Sequence, residues 1–324
     1  MMQKAIQDFP KQFLFAPVIE RAEKLEQRPA SIVSGMGGSH LAADLLKTLY
    51  PEKRIIVHSD YGLPSMLYED LQKCLFIASS YSGNTEEVLD GLEQARVKEM
   101  ACAAVSVGGK LQKIAEQFSI PYIQLPDTGI QPRMALGFGT LGIMKILAMD
   151  EEIRSLRSLA DILKPNVLEQ EGKRLSELCK DKIPVVYSSA RNRHVAANWK
   201  IKCNETGKIP AFYNVFPELN HNEMTGFDIV EARKQLSAQF HIIVLADSDD
   251  DPRIQKRMEI CKRLFEDRNL PVTVLEMNGS TRAERVFNSL LTADWFAYYS
   301  GSIYGAETEQ VPMVGEFKKL VSSG

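Results

Sequence analysis

The chain has 324 residues, enough for two domains of ordinary size, and its 44% hydrophobic and 25% charged content is that of a soluble globular protein. A formal net charge of -3 and a pI near 6.0 give no electrostatic reason to expect nucleic acid or an acidic membrane as partner. The five cysteines are scattered, odd in number and lack C-x-x-C spacing, so free thiols in a reducing cytoplasm fit better than a disulfide framework or a zinc site. The N-terminal stretch Met1 to Pro10 lacks the apolar core of a signal peptide, and no segment reaches membrane-spanning length, so a cytoplasmic location is expected.

In chain order, residues 1–27 read as polar helical material broken near Pro10 and Pro17. Strands then alternate with helices: Ala30–Ser34, a helix Ser39–Leu49, Arg54–His58, Leu75–Ser79, a helix Thr85–Arg96, Ala101–Ser106, a helix Lys110–Phe118, Pro121–Leu125 and a helix Pro132–Met149. Continuous apolar strands separated by helices predict a parallel sheet covered on both faces. Charged residues 151–165 form a helical connector that stops at Pro165. The pattern restarts with strand Ile183–Tyr187, a helix His194–Glu205, strands Ala211–Val215 and His241–Ala246, a helix Pro252–Asp267, strand Val272–Met277 and a long helix Thr281–Tyr299. The expected fold class is therefore α/β: two related units, 1–150 and 151–324, each a mostly parallel sheet flanked by helices, with a C-terminal extension from Ala306 to Gly324.

Two strand–helix junctions in the first unit carry chemistry. After Leu75–Ser79 the run Ser80-Tyr81-Ser82-Gly83-Asn84-Thr85 crowds hydroxyls and a glycine at a helix start. Unpaired backbone N–H groups and the positive end of the helix dipole point there, which describes an anion site, best suited to a phosphate monoester. A capped helix start is the plain alternative, since Asn84 and Glu87 have capping-box spacing, but a single cap does not account for Ser80, Ser82 and Thr85 together. After Ala30–Ser34 comes Gly35-Met36-Gly37-Gly38-Ser39-His40. The third glycine of a dinucleotide fingerprint is replaced by His40, although Asp60 lies at the right distance; no lysine completes a Walker loop. A sugar phosphate at the carboxyl edge of the sheet fits both junctions. A weaker echo, Ser188-Ser189-Ala190-Arg191, follows the first strand of the second unit.

Strand-SGMGGS, strand-SYSGNTEE, Pro132-Arg133-Met134-Ala135-Leu136, CNETGKIP from Cys203 to Pro210 and PELNHN from Pro217 to Asn222 occur in that order. Together they resemble the bifunctional phosphoglucose/phosphomannose isomerases, built of two sugar-isomerase (SIS) domains, and the resemblance runs from about residue 30 to the C-terminus. It implies that Gly38, Ser39, Ser80, Ser82 and Thr85 hold the phosphate and neighbouring sugar oxygens, with Arg133 against the reacting carbons. It further implies Glu205 as the base, His221 and Lys318 in ring opening, and a homodimer in which His221 is contributed across the interface. Lys318 is preferred to Lys319 by its spacing from Pro312.

The chemistry asks for those residue types. Moving a carbonyl between C1 and C2 of a hexose phosphate needs a carboxylate base, an electropositive group for the enediolate and an acid to open the ring. No cofactor is required, and no H-E-x-x-H or paired-histidine spacing marks a metal site. Taken singly the residues are bland: Glu205 a solvated helix end, Arg133 a surface cation, His221 a loop histidine, Lys318 and Lys319 a solvated face. His58 and His241 flank strands and read as structural, while His194 begins a helix. Two positions depart from the family pattern. His40 either crowds the glycine loop or adds a cationic contact to phosphate; Val311, before Pro312, cannot orient a hydroxyl, which leaves mannose 6-phosphate less secure than glucose 6-phosphate unless Gln310 substitutes. The competing readings are a non-catalytic phosphosugar-binding protein, which needs the cradle without a base, and a dinucleotide-dependent enzyme resting on Gly35, Gly37 and Asp60.

Overall fold

The computed structural model describes residues 1–322; Ser323 and Gly324, the end of the predicted extension, lie outside them. The chain divides into two compact units, Asp8–Leu163, and Lys164–Gly324 together with Met1–Gln7.

In the first unit five strands make one sheet in the order β2-β1-β3-β4-β5, every pair parallel. They are β1 (Ala30–Ser34), β2 (Ile55–His58), β3 (Cys74–Ser79), β4 (Cys102–Ser106) and β5 (Tyr122–Gln124). The central strand β3 is buried along its whole length, as its unbroken Cys-Leu-Phe-Ile-Ala-Ser run requires of a strand covered on both faces. One face packs Ile32, Phe76, Ala78 and Ala104 against Val88 and Leu92 of the helix Glu86–Val97 and Leu111 of the helix Gly109–Gln117. Each of the larger side chains contributes roughly 1.5–3 kcal/mol by leaving water, and each alanine methyl less. Register Ser34↔Ala78 and Ser34↔His58 keeps the carboxyl ends of β2, β1 and β3 level. Strand order reverses between β1 and β3, so a crevice opens there, outside the carboxyl ends.

The second unit repeats the scheme with four parallel strands in the order β7-β6-β8-β9: β6 (Ile183–Ser189), β7 (Phe212–Phe216), β8 (Phe240–Ala246) and β9 (Val272–Glu276). Its core includes Tyr187, Phe216, Phe227 and Phe265 on one side of the sheet. Elsewhere the helices Pro165–Leu178 and Arg282–Ile303 pack so closely at Gly172 that a Cβ there would lie 2.3 Å from Trp295 Cβ. Lys202 and Asp294 form a wholly buried ion pair, 2.5 Å long, joining the helix Arg193–Glu205 to Arg282–Ile303.

Predicted and observed elements agree to within a few residues, with three differences. The connector's last helix ends at Ile162, just before Pro165 as expected, but Pro165 also opens a further helix, Pro165–Leu178, because its fixed φ and missing N–H suit a first helical position. The predicted helix Pro132–Met149 is a 3₁₀ turn, Pro132–Met134, followed by an α-helix, Leu136–Ile146. The stretch 1–27 is less polar in effect than its composition suggests, since Ile6, Phe9 and Phe13 are fully buried.

Candidate active site

The two junctions singled out above meet at the crevice between β1 and β3. Ser39 ties them together: its Oγ accepts from the Tyr81 backbone N–H at 2.8 Å, and its carbonyl accepts from Ser79 Oγ at 3.0 Å. Ser80 and Thr85 share a hydroxyl–hydroxyl bond of 2.8 Å that closes the second loop on itself. Ser82 is exposed at the loop tip, where its Oγ accepts from the Asn84 N–H at 3.3 Å. Glycine is obligatory at two points. Gly83 has φ +69°, and a Cβ there would fall 1.7 Å from the Gly108 carbonyl oxygen. A Cβ on Gly38 would lie 2.7 Å from the Arg133 backbone nitrogen, so only a bare α-carbon lets this loop lie against the Pro132–Met134 turn.

Neither helix that starts here, Gly38–Leu49 or Glu86–Val97, carries a side-chain cap. Two helix N-termini therefore present donors and positive dipole ends beside a cluster of hydroxyls, the arrangement that holds a phosphate. The capping-box alternative fails at Asn84, whose Oδ1 instead accepts from the Lys110 N–H at 3.1 Å and so braces the loop against the next junction. Arg133 is not a surface cation: it is fully buried in the 3₁₀ turn. A guanidinium keeps its charge in such a place, where it is worth far more to a nearby oxyanion than in water. His40 turns along its own helix to Asp44, Nδ1 to Oδ2 at 2.8 Å. The structure thus assembles Gly38, Ser39, Ser80, Thr85 and the backbone of Arg133 into one place, with Ser82 at its exposed rim.

The remaining predicted residues occupy separate elements of the second unit. Glu205, half-buried, is the last residue of the helix Arg193–Glu205. The turn after it is cross-stitched: Ile209 N–H donates to Cys203 O, Asn204 Nδ2 to Ile209 O, and Lys208 Nζ to Glu205 O at 2.6 Å. His221 is exposed at the end of the 3₁₀ turn Glu218–His221, and Lys318 lies exposed on the helix Pro312–Ser322. Val311 is half-buried just ahead of that helix, while the carbonyl of Gln310 accepts from Lys208.

A family model described as the bacterial phospho-glucose isomerase C-terminal SIS domain matches residues 168–321. A bifunctional phosphoglucose/phosphomannose isomerase of Caldicellulosiruptor bescii is 33% identical over 316 residues, covering 92% of this chain and 91% of the relative. The chain belongs to the bifunctional phosphoglucose/phosphomannose isomerase family. A relative of the same description from Aquifex aeolicus is 30% identical over 322 residues, covering 98% of this chain and 97% of its own. Among solved structures, a hypothetical protein of Thermus thermophilus superposes with a TM-score of 0.72 at 15% identity, over 99% of this chain and 90% of that one; this likeness concerns the fold.

In this phosphoglucose/phosphomannose isomerase family member the second sheet has the corresponding crevice, at the carboxyl ends of β6 and β8, but fills it with its own charges. Asp247 takes Arg282 Nη1 at 2.5 Å, Arg285 Nε at 3.1 Å and Asn192 Nδ2 at 3.1 Å. Burial pushes the Asp247 carboxyl up, yet hydrogen bonds from Asn192 and the Asp249 backbone, with the Arg282 and Arg285 charges, outweigh it and hold the group below the usual carboxylate range. Ser189 Oγ donates to Asp250 at 2.6 Å, so the hydroxyl that echoed the first unit's loop is consumed. Carboxylates stand where a phosphate site needs donors. The likeness between Ser188-Ser189-Ala190-Arg191 and the first glycine loop is one of fold position, and the chemistry has diverged. In sequence the second crevice differs in lacking the glycines of the first unit's loops and in carrying the aspartates of Asp247-Ser248-Asp249-Asp250-Asp251.

Proposed function

We propose that this chain interconverts glucose 6-phosphate, and with it mannose 6-phosphate, with fructose 6-phosphate through a cis-enediol(ate), without metal or cofactor. The observation that carries this reading is the crevice of the first unit, where hydroxyls and two uncapped helix N-termini converge at the switch point of a parallel sheet. Such a site suits a dianion, and family membership supplies the hexose.

In the proposed cycle the backbone at Gly38 and the hydroxyls of Ser39, Ser80, Ser82 and Thr85 hold the phosphate. His221 and Lys318 open the ring, relaying a proton from the O1 hydroxyl to the ring oxygen as the C1–O5 bond breaks and the C1 carbonyl forms. An imidazole suits that transfer near neutral pH. Glu205 then removes the C2 proton of the open-chain aldose as the C1 carbonyl takes up the electron pair. Charge on the resulting enediolate is met by Arg133, and transfer of the O2 proton to O1 with return of the carbon-bound proton to C1 gives the ketose. By the same family likeness the protein acts as a cytoplasmic homodimer, with His221 reaching the partner subunit's site. The half-buried valine at position 311 offers no hydrogen bond to a sugar hydroxyl, which favours the glucose over the mannose epimer.

No helix among the described residues is long and apolar enough to cross a membrane, and no group of three or more His, Cys, Asp or Glu side chains among them could hold a metal ion. A coupled assay with both 6-phosphates, run with and without EDTA, tests the proposal. Turnover of both substrates, faster with glucose 6-phosphate and indifferent to chelator, is expected. Activity lost to EDTA and restored by zinc contradicts it, and binding of fructose 6-phosphate with no turnover leaves a phosphosugar-binding protein instead.

A further inference from the structure

Lys208 belongs to the CNETGKIP run but has no role in the cycle just described. Its backbone is left-handed, φ +55°, a conformation that a residue with a Cβ seldom adopts. Strain of this kind persists where surrounding structure enforces it. From this position the ammonium reaches two carbonyls at once, that of Glu205 at 2.6 Å and that of Gln310. The first lies at a helix C-terminus, where a cation is electrostatically favoured. The second lies two residues before Pro312, where the helix bearing Lys318 begins. Charge-assisted bonds to both fix the end of one helix against the lead-in to the other.

We propose that Lys208 is a positioning residue that holds the Glu205 helix end and the segment leading to Lys318 in one fixed relation. The inference deepens the isomerase reading above and rests on it for the roles of Glu205 and Lys318. Neighbouring contacts support a clamp at this point. The N–H of Gly207 donates to Lys202 O, and a Cβ on Gly301, at the end of the long helix Arg282–Ile303, would lie 2.9 Å from Thr206 O. The turn is therefore fixed on the Arg282–Ile303 side by close packing, and on the C-terminal side Lys208 joins it to Gln310.

Two substitutions test the clamp. Lys208→Met removes the charge and keeps the backbone strain, whereas Lys208→Gly removes the charge and relieves the strain, so the glycine variant folds without penalty at this φ. Each is expected to lower kcat about ten- to hundred-fold, as misplacement of reacting groups does, while KM for fructose 6-phosphate stays within about two-fold because the phosphate loops are untouched. Amide hydrogen exchange over residues 306–322 should accelerate in both variants, and Lys208→Arg should recover most of the lost kcat. Unchanged exchange in Lys208→Gly overturns the clamp itself. Faster exchange with wild-type kcat overturns its link to catalysis. If the wild-type protein shows no isomerase turnover, the functional reading fails and with it the catalytic half of this inference, while the exchange comparison still decides whether Lys208 holds the segment.

Discussion

Glu205→Gln is expected to lower kcat with fructose 6-phosphate by about 10²- to 10⁴-fold, the range removed when a general base is lost. The dissociation constant by calorimetry should remain within about two-fold of wild type, because an amide is isosteric with the carboxylate and the phosphate contacts lie elsewhere. Glu205 is suited to this substitution. It is only half-buried at a helix end and the amide keeps its size, so the fold should be unaffected. The pattern matters as much as the size: a fall in kcat at constant binding marks a group that acts in the transition state. A kcat within ten-fold of wild type removes Glu205 from the role of base.

Gly83→Ala should be the most damaging single methyl in the Ser80–Thr85 loop. The added carbon meets the Gly108 carbonyl at 1.7 Å, a backbone atom that cannot swing aside, and the site also has φ +69°. Overpacking of about 1–3 kcal/mol and left-handed strain of roughly 1–2 kcal/mol add to a destabilisation near 3 kcal/mol or more. Gly37→Ala is the matched comparison. Its φ is +51° but nothing lies within 4 Å of the new carbon, so only the backbone strain remains, roughly 1–3 kcal/mol. Urea denaturation should show a clearly lower midpoint for Gly83→Ala than for Gly37→Ala, and KM for fructose 6-phosphate should rise more in the former. Equal midpoints would mean that the loop does not pack on Gly108 as described.

Local order was legible in the sequence wherever one element's own residues decide it. The unbroken apolar run of β3 declared a strand covered on both faces, and the glycine- and hydroxyl-rich runs marked the two strand–helix junctions that adjoin in the fold. What stayed hidden depends on partners distant in sequence. Asn84 has the spacing of a cap, yet the Lys110 amide competes for it across the neighbouring loop. Arg133 reads as a surface residue because nothing local shows that its turn will be covered. Pro165 is both a helix stop and a helix start, and only the helix that follows it settles which.

The same limit applies to the candidate site. Family likeness singles out Glu205, His221 and Lys318, but says nothing of the lysine that joins the turn after Glu205 to the segment before Pro312. The two crevices also look alike as strand–turn–helix patterns. They differ because the second is neutralised internally by Asp247, Arg282 and Arg285, which come from separate stretches of chain.

The central claim is that a phosphate-anchored hexose is isomerised by moving a proton, not a hydride, between C1 and C2. Conversion of fructose 6-phosphate to glucose 6-phosphate in deuterium oxide tests it most directly. Proton transfer through an enediolate predicts solvent deuterium at C2 of a measurable fraction of the product, by NMR or mass spectrometry, with the same fraction in the presence of EDTA. Full turnover that leaves C2 entirely free of deuterium would contradict the account.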